Sequence, residues 1–438
     1  MIMQVFAQQL SPSDSLKIAA ALLAACTVAC ISTIGGMGVV VVVLALWLSV
    51  HVYWTPAASI VISPLFLLAV NVFYPSAARW DATNTDPASE MRYWAAGLLV
   101  ITLTALWRLR HSVLRFIPTS LRCFLLVAIA ASFFGAIVGN ALSYVARQLF
   151  GSLLLGVYFA FGQQFSDEDT FLCKMRDYAV PCVVAFLIYY AWIFPQEGIH
   201  KEITSLPTQS GILAILFAAR GGWKWWSAAI LMMMPPILLV ERRAIVGFIL
   251  AMILLVAIRT TSQIKRISLE LVAAGLILFS LVPTLGTMLV DRAMGTFMES
   301  ILPAGARDAS SLQDRTVQLV EAALIVKRSP IFGSGMGSEL NWLSEARGDM
   351  QQAYVDNGWA YAAIKMGLPG LLSFVWLMWT VLRHGPGREV GVFTCILSML
   401  LLVMFTEPVF FQFTTTPLLG VLLGSLYKGC SVEVGSPC

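Results

Sequence analysis

Two short charged motifs hold the residues that are best suited to chemistry. Arg242 and Arg243 follow Glu241 between two apolar runs, and Asp356-Asn357 opens a short helical segment. Guanidinium groups bind phosphate oxygens in bidentate fashion and stay charged even where water is scarce. A carboxylate can accept the proton of an attacking hydroxyl. These residue types therefore suit group transfer from a phosphate-bearing donor to a hydroxyl acceptor.

Each motif also has a purely structural interpretation. The arginine pair can snorkel to lipid headgroups at a helix end, with Glu241 as its partner. Asp356 is a suitable N-cap for the helix that follows it, and this role is compatible with catalysis. The four histidines form no pattern with cysteines or carboxylates at metal-ligand spacing, so we expect no metal site.

Residues 291–353 form the longest polar stretch and separate the two motifs. Within it, residues 315–327 have helical character, with Arg315 on the polar side. Its apolar positions are Val317, Val320, Leu324 and Val326. We expect this helix to lie on the bilayer surface or to roof a cavity.

A cluster of helix-breaking residues follows that helix. It consists of Pro330, Gly333, Gly335 and Gly337. Closely spaced glycines allow positive φ angles, so the cluster predicts a sharp turn. It is not a nucleotide-binding P-loop, because no Gly-Lys-Ser/Thr follows.

The chain around these motifs has the composition of a membrane protein. Of 438 residues, 58% are hydrophobic and 12% are charged, and the mean hydropathy is +0.81. A spanning helix needs about 20 mostly apolar residues. Candidate runs are 16–34, 38–54, 57–73, 93–107, 121–142, 149–161, 178–194, 203–219, 225–240, 244–258, 268–290, 367–382, 392–405 and 409–427. The sequence therefore predicts an all-α polytopic integral membrane protein, a single domain over residues 1–438, with about 12–14 transmembrane helices.

Basic residues in short loops predict the orientation, because such loops favour the cytoplasm. Three clusters carry them, at residues 108–122, 259–266 and 383–388. Even numbers of predicted spans separate the clusters, so all three fall on one side. We therefore expect both termini to be cytoplasmic and residues 291–353 to form a long periplasmic loop.

Charge and cysteine content argue against a nucleic-acid-binding protein and against a disulfide-linked protein. The net charge is +4 with scattered Lys and Arg, which gives no footprint for nucleic acid. Most of the eight cysteines lie in apolar runs, so we interpret them as packing residues.

The order of the motifs resembles the bacterial O-antigen ligase and O-antigen polymerase (Wzy) superfamily. The resemblance rests on Glu-Arg-Arg-Ala at 241–244, on Asp-Arg at 314–315 before a helix ending in Ser-Pro-Ile-Phe-Gly-Ser-Gly, and on Asp-Asn at 356–357 before Gly-Leu-Pro-Gly at 367–370. It covers roughly residues 200–425.

The resemblance implies a C-type glycosyltransferase-like fold in the bacterial inner membrane. Such an enzyme transfers a glycan from an undecaprenyl-diphosphate-linked donor to a glycan acceptor at the periplasmic face. Positions that match the family's diphosphate-binding arginines are Arg242 or Arg243, and Arg315. The resemblance implies no cofactor. The partners that it implies are the donor, the acceptor, membrane lipids and other polysaccharide-assembly proteins.

One departure from the family pattern favours the polymerase branch over the ligase branch. Ligases usually have His-Asn before the Gly-Leu-Pro-Gly break, whereas this chain has Asp356-Asn357. We therefore predict a polymerase in which Asp356 deprotonates the acceptor hydroxyl and Asn357 positions it. A ligase that transfers glycan to the lipid A core, a lipid-glycan transporter and a non-catalytic scaffold are the alternatives.

Overall fold

The computed structural model describes a large part of the chain. The described residues are 44–53, 96–107, 117–163, 168–197, 205–238, 242–258, 307–344, 348–352, 357–384, 389–404, 410–411 and 415–427. The predicted spans at 16–34, 57–73 and 268–290 lie outside them, as does Asp356.

The described residues are mostly helical. The helices are α1 (Leu44–Tyr53), α2 (Ala96–Trp107), α3 (Thr119–Ile137), α4 (Leu142–Gly162), α5 (Glu168–Glu197), α6 (Ser205–Arg220), α7 (Trp223–Leu238), α8 (Arg242–Ile258), α9 (Arg307–Arg328), α10 (Gly358–His384), α11 (Glu389–Met404) and α12 (Thr416–Leu426). Most begin and end within a few residues of a predicted apolar run. The apolar composition that suits a bilayer also determines which residues form each helix.

Three of the described helices are long and apolar enough to cross a membrane: Thr119–Ile137, Leu142–Gly162 and Gly358–Val381. Shorter apolar helices accompany them within the described ranges. The predicted helical character is therefore confirmed and is consistent with a membrane protein, whereas the number of spans, their orientation and the C-type glycosyltransferase-like fold stay predictions.

The span predicted to begin at residue 367 starts much earlier. α10 begins at Gly358 and continues to His384 across a kink at Gly367, which has φ 69° and ψ −171°. A non-glycine residue rarely adopts that φ. Pro369 follows two residues later, and proline is tolerated in the first turn of the new helical segment because its missing N–H has no helical partner there. The predicted break at 367–370 is thus a kink between two stacked helical segments.

The polar stretch 291–353 contains a hairpin that the sequence did not predict. Strand β1 (Leu340–Ser344) pairs antiparallel with β2 (Gly348–Gln352), with Leu340 opposite Gln352 and Ser344 opposite Gly348. Neither strand has a clear alternation of apolar and polar residues, so the usual signal for a strand is missing. The same stretch also contains α9, which is longer at both ends than the predicted helix.

The chain divides into two compact units. One comprises Met1–Phe116, Val157–Met252 and Pro417–Leu426, and the other comprises Ile117–Gly156, Ile253–Thr416 and Tyr427–Cys438. The single domain over 1–438 stays a prediction.

The first unit is built on α5, α6 and α7, with α6 and α7 joined by a tight Gly221-Gly222 turn in which both glycines have positive φ. A second contact joins the end of α4 to α12. A Cβ at Gly162 would overlap the Val421 carbonyl, and a Cβ at Gly424 would overlap the Phe159 carbonyl. Small residues let helix backbones approach this closely in membranes.

The second unit is built on α10, which packs against α3, α9 and α11. Its core is a cluster of aromatic rings with centroids 5.0–6.3 Å apart. The rings belong to Phe124, Tyr361, Phe374, Phe410 and Phe411. This core fixes the position of α10, whose first residues follow the Asp356-Asn357 motif.

Candidate functional site

A tight turn links α9 to the hairpin and contains the predicted glycine cluster. Gly333, Gly335 and Gly337 have φ angles of 61°, 77° and 79°. L side chains rarely adopt this region of φ. The predicted turn is therefore confirmed, and we call residues 329–338 the glycine turn.

The glycines are also required by close packing. A Cβ at Gly333 would overlap the Ile364 carbonyl of α10. A Cβ at Gly335 would lie 2.7 Å from the Gly135 Cα of α3, and one at Gly337 would collide with Val145 of α4. The backbone of the glycine turn thus rests directly on three helices of the second unit.

The kink in α10 and the glycine turn complete each other's backbone hydrogen bonds. In an uninterrupted helix the Leu368 N–H would donate to the Ile364 carbonyl, four residues earlier. The kink at Gly367 separates these groups. The Ser334 N–H donates to the Ile364 carbonyl at 2.7 Å, and the Leu368 N–H donates to the Pro330 carbonyl at 2.8 Å. Each group released by the kink therefore has a partner in the turn.

Polar side chains from α4 and the preceding link form hydrogen bonds with backbone groups on the other face of the turn. Asn140 Nδ2 donates to the Ser334 carbonyl at 3.0 Å and to the Met336 carbonyl at 2.9 Å. The buried Gln148 Oε1 accepts from the Gly337 N–H at 2.7 Å. These contacts explain why a glutamine lies buried in a helix long enough to span the bilayer.

Lys365 is the most buried cation among the described residues. Its side chain is fully buried, its Nζ donates to the Ser338 carbonyl and to Ser338 Oγ at 3.1 Å, and it lies 5.7 Å from the centre of the Tyr361 ring. The contact ties the end of the glycine turn, just before β1, to α10. An intramembrane lysine is costly unless it is paired in this way.

Asn357, and not Asp356, caps α10. The Asn357 Oδ1 accepts hydrogen bonds from the Trp359 N–H at 3.0 Å and the Ala360 N–H at 2.9 Å. The interpretation of Asp356 as N-cap is therefore wrong, because the helix begins one residue later than that role requires. Asp356 directly precedes the cap in the chain and lies outside the described residues.

The structure gives the backbone positions of the predicted arginines. Arg242 and Arg243 begin α8, and Arg315 lies on α9. α9 packs against α10, so Arg315 and Asn357 are carried by neighbouring helices of the second unit. The Arg242-Arg243 pair belongs to the first unit. The diphosphate-binding role of all three arginines stays a prediction.

Sequence reasoning missed Lys365, Ser338, Asn140 and Gln148 as parts of this arrangement. For Lys365 a signal was present, since a single cation in an apolar helix usually has a specific partner. For Asn140 and Gln148 no local pattern pointed to the glycine turn, because their partners lie about two hundred residues further along the chain.

Residues 227–375 match the family model Wzy_C, described as O-antigen ligase. This match supports membership of the chain in the O-antigen ligase and polymerase superfamily. No curated protein matches it. The matched region is shorter than the predicted resemblance over 200–425. It begins in α7 and ends in α10, and it contains all five predicted site residues together with the glycine turn and the hairpin.

The family match implies a glycosyl-transferring enzyme. Proteins of this family are membrane proteins that transfer glycans in polysaccharide biosynthesis, and they act on lipid-linked glycan substrates and an acceptor glycan. Within the matched region, the glycine turn forms hydrogen bonds to the kinked, capped helix α10. Asn357 caps the start of that helix.

Replacing Gly333 by alanine is expected to destabilise the protein more than replacing Gly139. Both glycines have positive φ, but a Cβ at Gly139 meets nothing within 4 Å. Gly139→Ala should cost about 1–2 kcal/mol in φ strain, and Gly333→Ala should add about 1–3 kcal/mol from overpacking. Thermal unfolding in detergent measures both. Equal unfolding midpoints for the two variants would contradict the packing role.

Lys365 substitutions are expected to destabilise in a graded order. Lys365→Met keeps most of the volume but leaves the Ser338 carbonyl without its donor, at a cost of about 1–3 kcal/mol. Lys365→Ala adds a cavity, so its total should approach about 2–5 kcal/mol. Ser338→Ala removes only the hydroxyl, at about 0.5–1.5 kcal/mol.

The control is Lys327→Met, because Lys327 is exposed on α9 and surface changes usually stay within about 0.5 kcal/mol. Unfolding midpoints of the four variants give the order. A Lys365→Met variant as stable as wild type would show that the contact with Ser338 contributes nothing.

Proposed function

We propose that this protein is a polysaccharide polymerase of the O-antigen or exopolysaccharide type. The observation that carries the proposal is the Asp356-Asn357 pair at the capped start of α10, where ligases of the superfamily have His-Asn. A carboxylate in place of the imidazole keeps a proton acceptor next to the cap. The matched family region around it supplies the glycan-transferring context.

The proposed reaction joins two lipid-linked glycans. A hydroxyl of the acceptor glycan attacks the anomeric carbon of the donor sugar, and the bond from that carbon to the diphosphate oxygen breaks. The Asp356 carboxylate takes the hydroxyl proton. Undecaprenyl diphosphate leaves with the bonding electrons, and the new glycosidic bond lengthens the chain by the donor's glycan.

Arginines offset the negative charge that grows on the departing diphosphate. Arg242, Arg243 and Arg315 are the proposed residues, since guanidinium groups bind phosphate oxygens in bidentate fashion. Arg242 and Arg243 also lie at the N-terminus of α8, where unpaired N–H groups and the helix dipole favour anions. Removing one such stabilising contact typically lowers the rate about 10²- to 10³-fold.

Asn357 has a more limited role than the sequence predicted. Its Oδ1 accepts two backbone hydrogen bonds, so any contact with the acceptor glycan would use the Nδ2 group. By fixing the first turn of α10, the cap also fixes where the chain leaves the helix towards Asp356. We therefore assign Asn357 first to positioning and only secondarily to contact with substrate.

A ligase is the second candidate, because the matching family model is described as O-antigen ligase. A ligase would transfer the glycan to the lipid A core instead of to another lipid-linked unit. Membership in a glycan-transferring family leaves the transporter and scaffold alternatives without support.

Deletion of the gene should leave single repeat units where wild-type cells make long glycan chains. Complementation with wild type should restore the chains, Asp356→Asn should not, and Asp308→Asn should, because Asp308 is an acidic residue of the same polar stretch without a proposed role. Gel profiles of the surface glycan measure chain length.

Two results would sink the polymerase assignment. Lipid-linked polymer that accumulates in the deletion strain beside an unsubstituted lipid core would identify a ligase. Full chain length with Asp356→Asn, at wild-type protein level, would remove Asp356 from the reaction.

Substitutions at Asn357 should separate capping from substrate contact. Asn357→Ala removes the cap and should lower stability by about 1 kcal/mol. Asn357→Asp keeps an acceptor for the Trp359 and Ala360 N–H groups but lacks the Nδ2 donor. If positioning dominates, Asn357→Asp should retain stability and polymer synthesis in vitro. A stable Asn357→Asp variant with strongly reduced synthesis would instead show that the amide contacts substrate.

A further inference from the structure

The second half of α9 presents an apolar face outward. Leu319, Val320 and Leu324 are 44%, 55% and 40% exposed, whereas Gln318 and Ala322 are buried at 3% and 4%. The outward face of a helix in water is normally polar. Here a polar glutamine faces the protein and large aliphatic side chains face away from it.

The helical repeat places the exposed residues on one continuous face. Positions 319, 320, 323, 324 and 327 fall within one side of a helix with 3.6 residues per turn. The first four are Leu, Val, Ala and Leu, and the fifth is Lys327, which is exposed together with its neighbour Arg328. An apolar face that ends in cations is typical of a helix that lies in a membrane interface.

The apolar face of α9 continues into the outer face of a membrane-spanning helix. Ile331 and Phe332 of the glycine turn are exposed, and the hydrogen bond from Leu368 N–H to the Pro330 carbonyl holds that turn against α10.

α10 itself has an exposed apolar stripe at helical spacing. Its residues are Leu368, Leu372, Val375, Trp376 and Trp379. They lie in Gly358–Val381, which is long and apolar enough to cross a bilayer. Lipid is the medium that such a stripe contacts.

We infer that residues 319–328 of α9 lie in the bilayer interface, with Leu319, Val320 and Leu324 in contact with phospholipid acyl chains and Lys327 and Arg328 at the level of the headgroups. Continuity with the stripe on α10 selects bilayer lipid as the occupant, because one apolar medium then covers both surfaces. The two cations match the anionic headgroups that attract basic residues at a membrane surface.

This placement gives α9 a second fixed contact. Its inner face packs on α10 and its outer face enters the lipid, so the helix that carries Arg315 is held at a defined depth. This placement does not depend on the reaction proposed above.

Spin labels on the full-length protein in phospholipid nanodiscs test the inference. Labels are attached to Val320→Cys and Leu324→Cys, with Asn341→Cys on the exposed start of β1 as the matched control, in a background whose native cysteines are replaced and whose unfolding midpoint is unchanged. Collision with oxygen, which concentrates in lipid, is compared with collision with a water-soluble nickel chelate. For labels at 320 and 324, the collision rate with oxygen should exceed that with the nickel chelate by several-fold. For the label at 341, the collision rate with the nickel chelate should be the higher of the two.

Three outcomes would overturn the inference. Nickel accessibility at 320 and 324 equal to that at 341 would show that the face is in water. Exclusion of both reagents together with dipolar broadening between labels would show that a second copy of the chain covers it. Loss of oxygen accessibility on addition of a polyprenyl phosphate would assign the face to the tail of that lipid.

Wild-type protein gives an independent measurement that needs no variant. In vesicles containing a phospholipid with a photoactivatable acyl chain, cross-links should map to residues 317–328 as well as to the stripe on α10. Cross-links on α10 with none on α9 would refute the placement of α9 in the interface.

Discussion

The second unit depends on one backbone hydrogen bond that α10 does not make. The kink at Gly367 separates Ile364 from Leu368, and the glycine turn supplies a partner to each. A buried backbone group without a hydrogen-bond partner costs about 1–3 kcal/mol. Within a bilayer no water is available to act as that partner. The kink is therefore stable only when the turn is in place, and the turn in its observed position has its partners only because the helix is kinked.

The hydrogen bonds between the kink and the glycine turn explain which residue types surround them. The turn must approach α3 and α10 at backbone distance, so glycine is required at positions where a Cβ would overlap a carbonyl. Its other backbone groups bond to Asn140 and Gln148. Lys365 then fixes Ser338 at the point where the chain enters the hairpin. Irregular backbone inside a protein is tolerated when its polar groups are satisfied in this way.

The same junction positions the residues proposed to act on substrate. α10 is held by its aromatic core and by the turn, so its first residues and the Asn357 cap have a fixed location. α9 runs from Arg315 towards the turn and packs on α10. The proposed reaction needs its proton acceptor and its cations held at a constant distance from the bilayer surface, because its leaving group is attached to a lipid. A rigid helix start and the inferred contact of α9 with lipid would both meet that requirement.

Much of this protein could be predicted from local sequence. Apolar runs located α3, most of α4 and the second segment of α10, because a spanning helix must be apolar along its length. The spacing of Gly333, Gly335 and Gly337 predicted a turn with positive φ, since few other residues adopt that conformation. The order of Arg242-Arg243, Arg315 and Asp356-Asn357 indicated the superfamily, and the match over residues 227–375 supports it.

Tertiary structure decided which groups meet. The pairs Leu368 with Pro330, Lys365 with Ser338 and Gly337 with Gln148 join residues that are distant in sequence, and helical periodicity contains no information about such partners. The hairpin was missed for the same reason, because its strands are defined by pairing and not by an alternating pattern. Capping by Asn357 instead of Asp356 depended on where α10 begins. The sequence by itself determined where helices and turns form, because these depend on neighbouring residues; only the fold determined that a kink in one helix is completed by a turn some thirty residues earlier.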